Sequence, residues 1–141
     1  MFEDITSVVT LSELAEVCIY DTYDKQDSAH VRHETICFEY MEYVGVSAFQ
    51  KWYSLSKLVQ RRCILITTLD QIKDTTQLSS RSMLSKWLTS MQEVGMLFVS
   101  YPEGVKSQRR IIYFNPWLVW KGSYRVRNRY RYLWNKSKGI E

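Results

Sequence analysis

An α+β fold is expected from this sequence, on three observations. Several stretches carry apolar residues at helical spacing, short β-branched and aromatic runs lie among them, and compact turn signals separate the pieces. The chain's 141 residues make one domain with a real core the natural size, and the 45% apolar and 24% charged fractions are those of ordinary globular proteins. Ten Tyr and five Trp form an unusually large aromatic share, which needs core volume, an interface or stacking partners.

Residues 1–45 read as an N-terminal extension. SELAEVCI (12–19) fits a short helix capped by Ser12. Residues 17–24 and 35–43 show partly alternating polarity across the polar link KQDSAHVRH, which suits a hairpin. Ile36, Tyr40 and Tyr43 also fit one face of a helix over 34–43, so both readings stay open. The extension is then a hairpin or a dimer element.

Residues 46–122 hold the main pattern. Ala48, Trp52, Leu55, Leu58 and Val59 fall at helical spacing over 47–59, with Ser47 placed to cap. Arg61 and Arg62 end that helix, and CILI (63–66) is strand-like. Thr67 or Thr68 can cap a short helix through Leu69, Ile72 and Lys73, and DTTQ follows as polar punctuation. Ser79 or Ser80 opens a longer helix to Val94, where Gly95 favours a left-handed cap. MLFVSY (96–101), the turn-rich PEGVKSQ and RRIIYF (109–114) make a β-hairpin with a basic loop. Helix, short strand, helix, turn, longer helix, hairpin is the order of a winged helix-turn-helix.

After the hairpin, Asn115-Pro116 stops the strand. Pro116 suits the first position of a one-turn helix capped by Asn115, and Trp117, Leu118 and Trp120 can close over the core. Gly122 releases the chain into a basic C-terminal arm, 123–141. Read as a strand, SYRVRNRYRYLWNKSK places Arg125, Arg127, Arg129 and Arg131 on one face and aromatics on the other; a helix would spread the arginines around its axis. Leu133 and Trp134 suit pinning the arm to the body.

Charge is divided along the chain. Residues 1–60 hold ten acidic against four basic residues, net −6, and residues 61–141 hold fifteen basic against five acidic, net +10. Between Lys106 and Lys138 there are ten basic residues and no acidic one, so a polyanion such as nucleic acid is the natural partner of that half. On the longer helix, Met83, Leu84, Trp87, Leu88, Met91 and Val94 collect on one face that must be buried. Ser79, Ser80, Arg81, Ser82, Ser85, Lys86 and Thr89 lie at its N-terminal end or on the opposite side. Hydroxyls donate to phosphates, a helix N-terminus favours anions, and Arg or Lys can reach guanine edges. Glu93 would be repelled by phosphate, which limits docking to the first three turns. Lys106, Arg109 and Arg110 on the hairpin, Lys121, and Arg125, Arg127, Arg129 and Arg131 on the arm complete the expected DNA-binding surface. Six or more neutralised phosphates would cost affinity by about 10³ between 50 and 200 mM salt.

Other classes find little support. The three cysteines, Cys18, Cys37 and Cys63, are odd in number and widely spaced, which argues against a disulfide framework and a Cys-based zinc site. His30 and His33, with Asp27 and Glu34 nearby, lack a third ligand at a recognisable spacing, and no phosphate-cradling Gly-rich loop is present. No catalysis, cofactor, metal or small-molecule substrate is therefore expected. Nor does any segment read as a secretion signal or membrane span, so a cytoplasmic chain is expected.

The stretch TTLDQIKDTTQLSSRSMLSKWLTSMQEVGMLFVS resembles bacterial winged-helix DNA-binding domains. Ile72 and Met83 sit at core positions of that pattern, Leu78-Ser79 at its turn, and Met91 to Gly95 at its Leu-x-x-x-Gly. Trp87 is bulkier than most members carry there. IIYFNPWLVWKGS resembles the RepL-type plasmid replication initiators, through Asn115, Pro116, Leu118, Lys121 and Gly122. The resemblance implies sequence-specific binding of double-stranded DNA by a plasmid or phage protein, in replication initiation and without nuclease activity. The alternative is a transcriptional regulator of a phage or plasmid operon; a second is a winged-helix interaction module for an acidic protein partner. The acidic, aromatic N-terminal half could serve a homodimer or mask the basic arm.

Overall fold

The computed structural model describes residues 30–137. The fold is α+β, with five α-helices and two small antiparallel sheets among the described residues. The expected order of helix, strand, helix, turn, helix and hairpin runs unbroken from Val46 to Phe114.

β1 (Arg32–His33) is followed by a 3-10 turn of helix, Thr35–Glu39, and then by α1 (Tyr40–Val44). The strand reading of 35–43 is corrected: the helical alternative forms, and it turns Cys37 into the core while Ile36, Phe38 and Tyr43 stay exposed. The other proposed strand (17–24) and the helix over 12–19 lie outside the described residues.

α2 (Val46–Ser56) begins after Gly45, whose φ of +90° suits a residue without Cβ. Ser47 was expected to cap this helix. It lies inside the first turn instead, where its hydroxyl accepts from Lys51 Nζ at 2.9 Å. Phe49, Trp52 and Leu55 are buried, and the Trp52 indole donates to the Met96 carbonyl at 3.1 Å. The helix stops at Ser56 rather than Val59; Val59 is buried beyond the helix end and Leu58 is exposed.

β2 (Ile64–Thr68) leads directly into α3 (Leu69–Thr76). Thr68 is the cap, accepting from the Gln71 amide at 3.2 Å. Gln77, at φ +63°, ends α3 in the left-handed region. α4 (Arg81–Glu93) starts with Ser80 Oγ accepting from the Met83 amide at 3.3 Å. It ends as the glycine implied: at Gly95 (φ +77°) the Gly95 amide donates to Gln92 O and the Met96 amide to Met91 O, the paired bonds of a Schellman cap. Leu84, Trp87, Leu88 and Met91 are buried. Met83 and Val94 were expected with them but are 57% and 37% exposed, because Met83 flanks the arc set by Leu84 and Val94 already belongs to the cap.

β3 (Leu97–Ser100) and β4 (Arg109–Phe114) form the hairpin, and the sheet order is β2-β4-β3, all antiparallel. Ile64 pairs with Tyr113, Thr68 with Arg109, Leu97 with Phe114 and Ser100 with Ile111. The central position of β4 explains why Arg110 to Phe114 are all buried.

Beyond β4, Asn115 caps a tight turn: its Oδ1 accepts from the Trp117 amide at 2.8 Å, and its carbonyl accepts from the Leu118 amide at 2.9 Å. β5 (Val119–Trp120) pairs with β1, and Arg62 and Lys121 exchange backbone bonds of 2.8 and 2.9 Å. The C-terminal arm is α5 (Tyr124–Ser137), not a strand. Val126, Tyr130, Leu133 and Trp134 fall at helical spacing and pack on the core, with Tyr130 edge-on to Trp120 at 5.2 Å. A single hydrophobic cluster runs from Cys37 to Trp134, so extension, central segment and arm share one core.

Candidate nucleic-acid interface

The outer side of α4 is fully presented. Ser79, Ser80, Arg81, Ser82, Ser85, Lys86 and Thr89 are all exposed. Arg81, Ser85 and Thr89 recur every four residues and line one wall of a groove, together with Gln92. Tyr101, Val105 and Arg110 of the hairpin line the other wall, and Leu69, Leu84 and Leu88 contribute its apolar surface. Ser82 and Lys86 lie one residue around the helix, also exposed. The helix is held from behind: Trp87, the residue bulkier than the pattern requires, donates its indole N–H to the Ala48 carbonyl of α2 at 3.2 Å.

The hairpin connection, 101–108, projects beside that face. Lys106 is exposed, and Arg109 is exposed with Nη1 3.8 Å from Glu103. Arg110 is corrected as a direct contact. Side chains alternate along β4, so Arg110 turns inward: the residue is 4% exposed, and its guanidinium binds the carbonyls of Val105, Ser107 and Arg109. On the far side of the connection, the Leu69 amide donates to Gln108 O at 2.8 Å and the Asp70 amide to Gln108 Oε1 at 3.2 Å, so the hairpin also satisfies the start of α3.

α5 divides its arginines between two tasks. Arg125 is exposed and Arg129 half-buried. Arg127 and Arg131 were expected to face a polyanion, but they converge on Glu34 Oε2 at 3.2 and 4.0 Å. Their side chains are 17% and 12% exposed. Arg127 lies over Tyr124, and Arg131 over Trp117 while its Nε donates to Pro116 O at 2.9 Å. Burial, then the neighbouring Arg127, lowers the Arg131 pKa. These two residues fasten α5 to the body because a helix, unlike a strand, turns them toward the β1–β5 edge. Lys121 is half-buried, its backbone bonded to Arg62. The hairpin connection enters β4 at Arg109, whereas α5 follows β4 only after the Asn115 turn and β5.

Away from this surface, His33 is packed rather than open. Its Nε2 lies 2.7 Å from Ser56 Oγ and its ring is 4.4 Å from that of Tyr53. Because Ser56 donates its own proton to Tyr53 O, His33 Nε2 carries the proton between them. Burial, and then Lys57, lowers the His33 pKa. Burial and the nearby Glu34 push the Cys37 thiol up to about 11. Among the described residues, no group of three or more His, Cys, Asp or Glu could hold a metal ion, and no helix is long and apolar enough to cross a membrane.

Sequence reasoning missed Tyr101, Val105 and Gln92 as groove residues and Glu34 as the partner of α5. Tyr101 and Val105 flank the turn residues Pro102 and Gly104, and that placement was the available signal. The Glu34 pairing spans 93 positions to Arg127 and has no local signature. Comparison with protein-family models, with curated proteins and with solved structures gives no match for this chain.

Proposed function

We propose that this chain is a winged-helix protein that binds double-stranded DNA, with α4 entering the major groove and the β3–β4 hairpin as the wing on the adjacent backbone or minor groove. The observation that carries the reading is the shared groove: exposed hydroxyl and cationic side chains of α4 form one wall and the wing the other. Helix dipole, hydroxyl donors and cations then act on the same strand of phosphates. The order β2-β4-β3, with α3 and α4 inserted between β2 and β3, supports the winged-helix assignment. Resemblance to RepL-type initiators at Asn115, Pro116, Leu118, Lys121 and Gly122 favours a plasmid or phage replication origin as the target. An operator is the second target of the same chemistry.

Arg81, Lys86, Lys106, Arg109 and Arg125 are the exposed cations of the proposed surface. At about 0.9 counterions per phosphate, five contacts give a salt slope of roughly −4.5, or a loss of about 500-fold between 50 and 200 mM salt. Fluorescence anisotropy on random-sequence duplex tests the reading directly, and absence of binding at low salt would sink it. Selection of bound sequences from a random pool, mapped to the source genome, separates an origin with repeats from a promoter.

A further inference from the structure

The wing is bonded from within at several points. Gly104, at φ +91°, makes its turn, with the Gly104 amide donating to Tyr101 O at 3.1 Å and the Ser107 amide to Gly104 O at 3.2 Å. Ser107 Oγ donates to Glu103 Oε1 at 3.2 Å and accepts from the Arg109 amide at 3.1 Å. At the base lies the Arg110 guanidinium. It donates to Ser107 O, to Arg109 O at 2.8 Å and to Val105 O at 3.1 Å, and its Cζ stands 4.7 Å from the Tyr101 ring centroid. Tyr101, Val105, Ser107 and Arg109 span the connection from the exit of β3 to the start of β4. One planar group therefore satisfies carbonyls that no neighbouring strand reaches.

We propose that Arg110 is the positioning residue of the wing. It fixes the tip against α4, where Val105 and Arg81 line one groove, so that Lys106 and Arg109 meet phosphates at a set distance from the helix. This role rests on the duplex-binding reading and extends it: Arg110 contributes through shape and touches no nucleic acid. Ordering the wing during folding removes an entropy loss that would otherwise fall on binding. An ammonium cannot reproduce it, because two carbonyls meet Nη1 and a third meets Nη2 of one forked donor.

The test uses the full chain with Arg110→Ala, Arg110→Lys and Lys106→Ala. Hydrogen exchange of the Gly104, Ser107 and Arg109 amides is measured in the free protein, and duplex affinity is measured against salt. For R110A we expect wing exchange at least about tenfold faster and affinity about tenfold weaker, with the salt slope unchanged. K106A should lower the slope by about one and leave wing exchange alone. R110K should fail to restore protection. Tyr101→Leu, which keeps every guanidinium bond, should give a smaller loss at the same slope. A slope reduced by about one in R110A, with wing exchange unchanged, would mean that the guanidinium reaches a phosphate and would overturn the proposal; so would unchanged exchange with unchanged affinity. If the unaltered chain binds no duplex, the nucleic-acid role falls, while exchange alone still decides whether Arg110 holds the wing.

Discussion

Asn115 donates its side-chain amide to the Gly95 carbonyl at 2.7 Å, joining the end of β4 to the glycine that terminates α4. The same side chain accepts from the Trp117 amide, so one residue sets the orientation of α4 and the turn into β5. Asn115→Ala breaks both bonds at a position only 6% exposed and should cost about 2 kcal/mol in urea unfolding. Asn115→Asp keeps the acceptor and should cost less if the Trp117 bond dominates.

Trp87 joins α4 to α2 through a single indole bond to the Ala48 carbonyl. Trp87→Phe retains most of the buried area and should lose about 1 kcal/mol, whereas Trp87→Ala also opens a cavity and should lose about 3 to 5 kcal/mol. Denaturant midpoints of the two variants give the comparison.

The outer face of α4 should separate reading from holding. Replacing Arg81 and Lys86 together with Ala should weaken binding to a selected sequence more than to random duplex, by about 1 to 3 kcal/mol for each lost base contact. An equal loss on both would assign these side chains to phosphates. The double replacement should alter the melting temperature by no more than about a degree or two, since both side chains are exposed.

His33 makes stability depend on pH with a definite sign. Its folded pKa lies below the ordinary 6.5, so the unfolded chain takes up the proton more readily. Stability from this group is complete above about pH 6.5 and is lost as pH falls through that value toward the folded pKa. His33→Gln should flatten the slope of unfolding free energy between about pH 7 and 5. An unchanged slope would assign the dependence to other groups.

Glu34 holds Arg127 and Arg131 from the opposite end of the chain. The pair is partly exposed, so Glu34→Gln should cost only about 1 kcal/mol. That cost should shrink between about 0.05 and 0.5 M salt as the charges are screened. Urea titrations at the two salt concentrations check both statements.

Elements specified by their own residues were legible in the sequence. Thr68, Ser80 and Gly95 act within a few positions of themselves; Thr68 and Ser80 are each one of the two caps the pattern left open, and Gly95 is where the pattern placed it. Elements specified by distant neighbours were not. The alternation of Arg and Tyr over 124–132 mimics a strand, and only the packing of Tyr130 and Leu133 against the core selects the helix. Pairing Arg109 and Arg110 as one basic patch ignored that adjacent strand residues face opposite ways. Within the candidate interface, the α4 residues were therefore readable from the helical period, whereas two of the four arm arginines and one of the two wing arginines were assigned to contact while bound inside the protein.

Arg62 and Lys121 donate to each other's carbonyls, closing the chain between them into a loop with a hydrogen-bonded neck. β2, α3, α4, the wing, β4 and β5 lie inside that loop, β1, α1, α2 and α5 lie outside it, and the β1–β5 pairing joins the two. The molecule is thus divided into an insert that carries the groove between α4 and the hairpin and a frame that is bonded to both of its ends. Because the neck consists of backbone bonds alone, side-chain changes within the insert leave that closure in place.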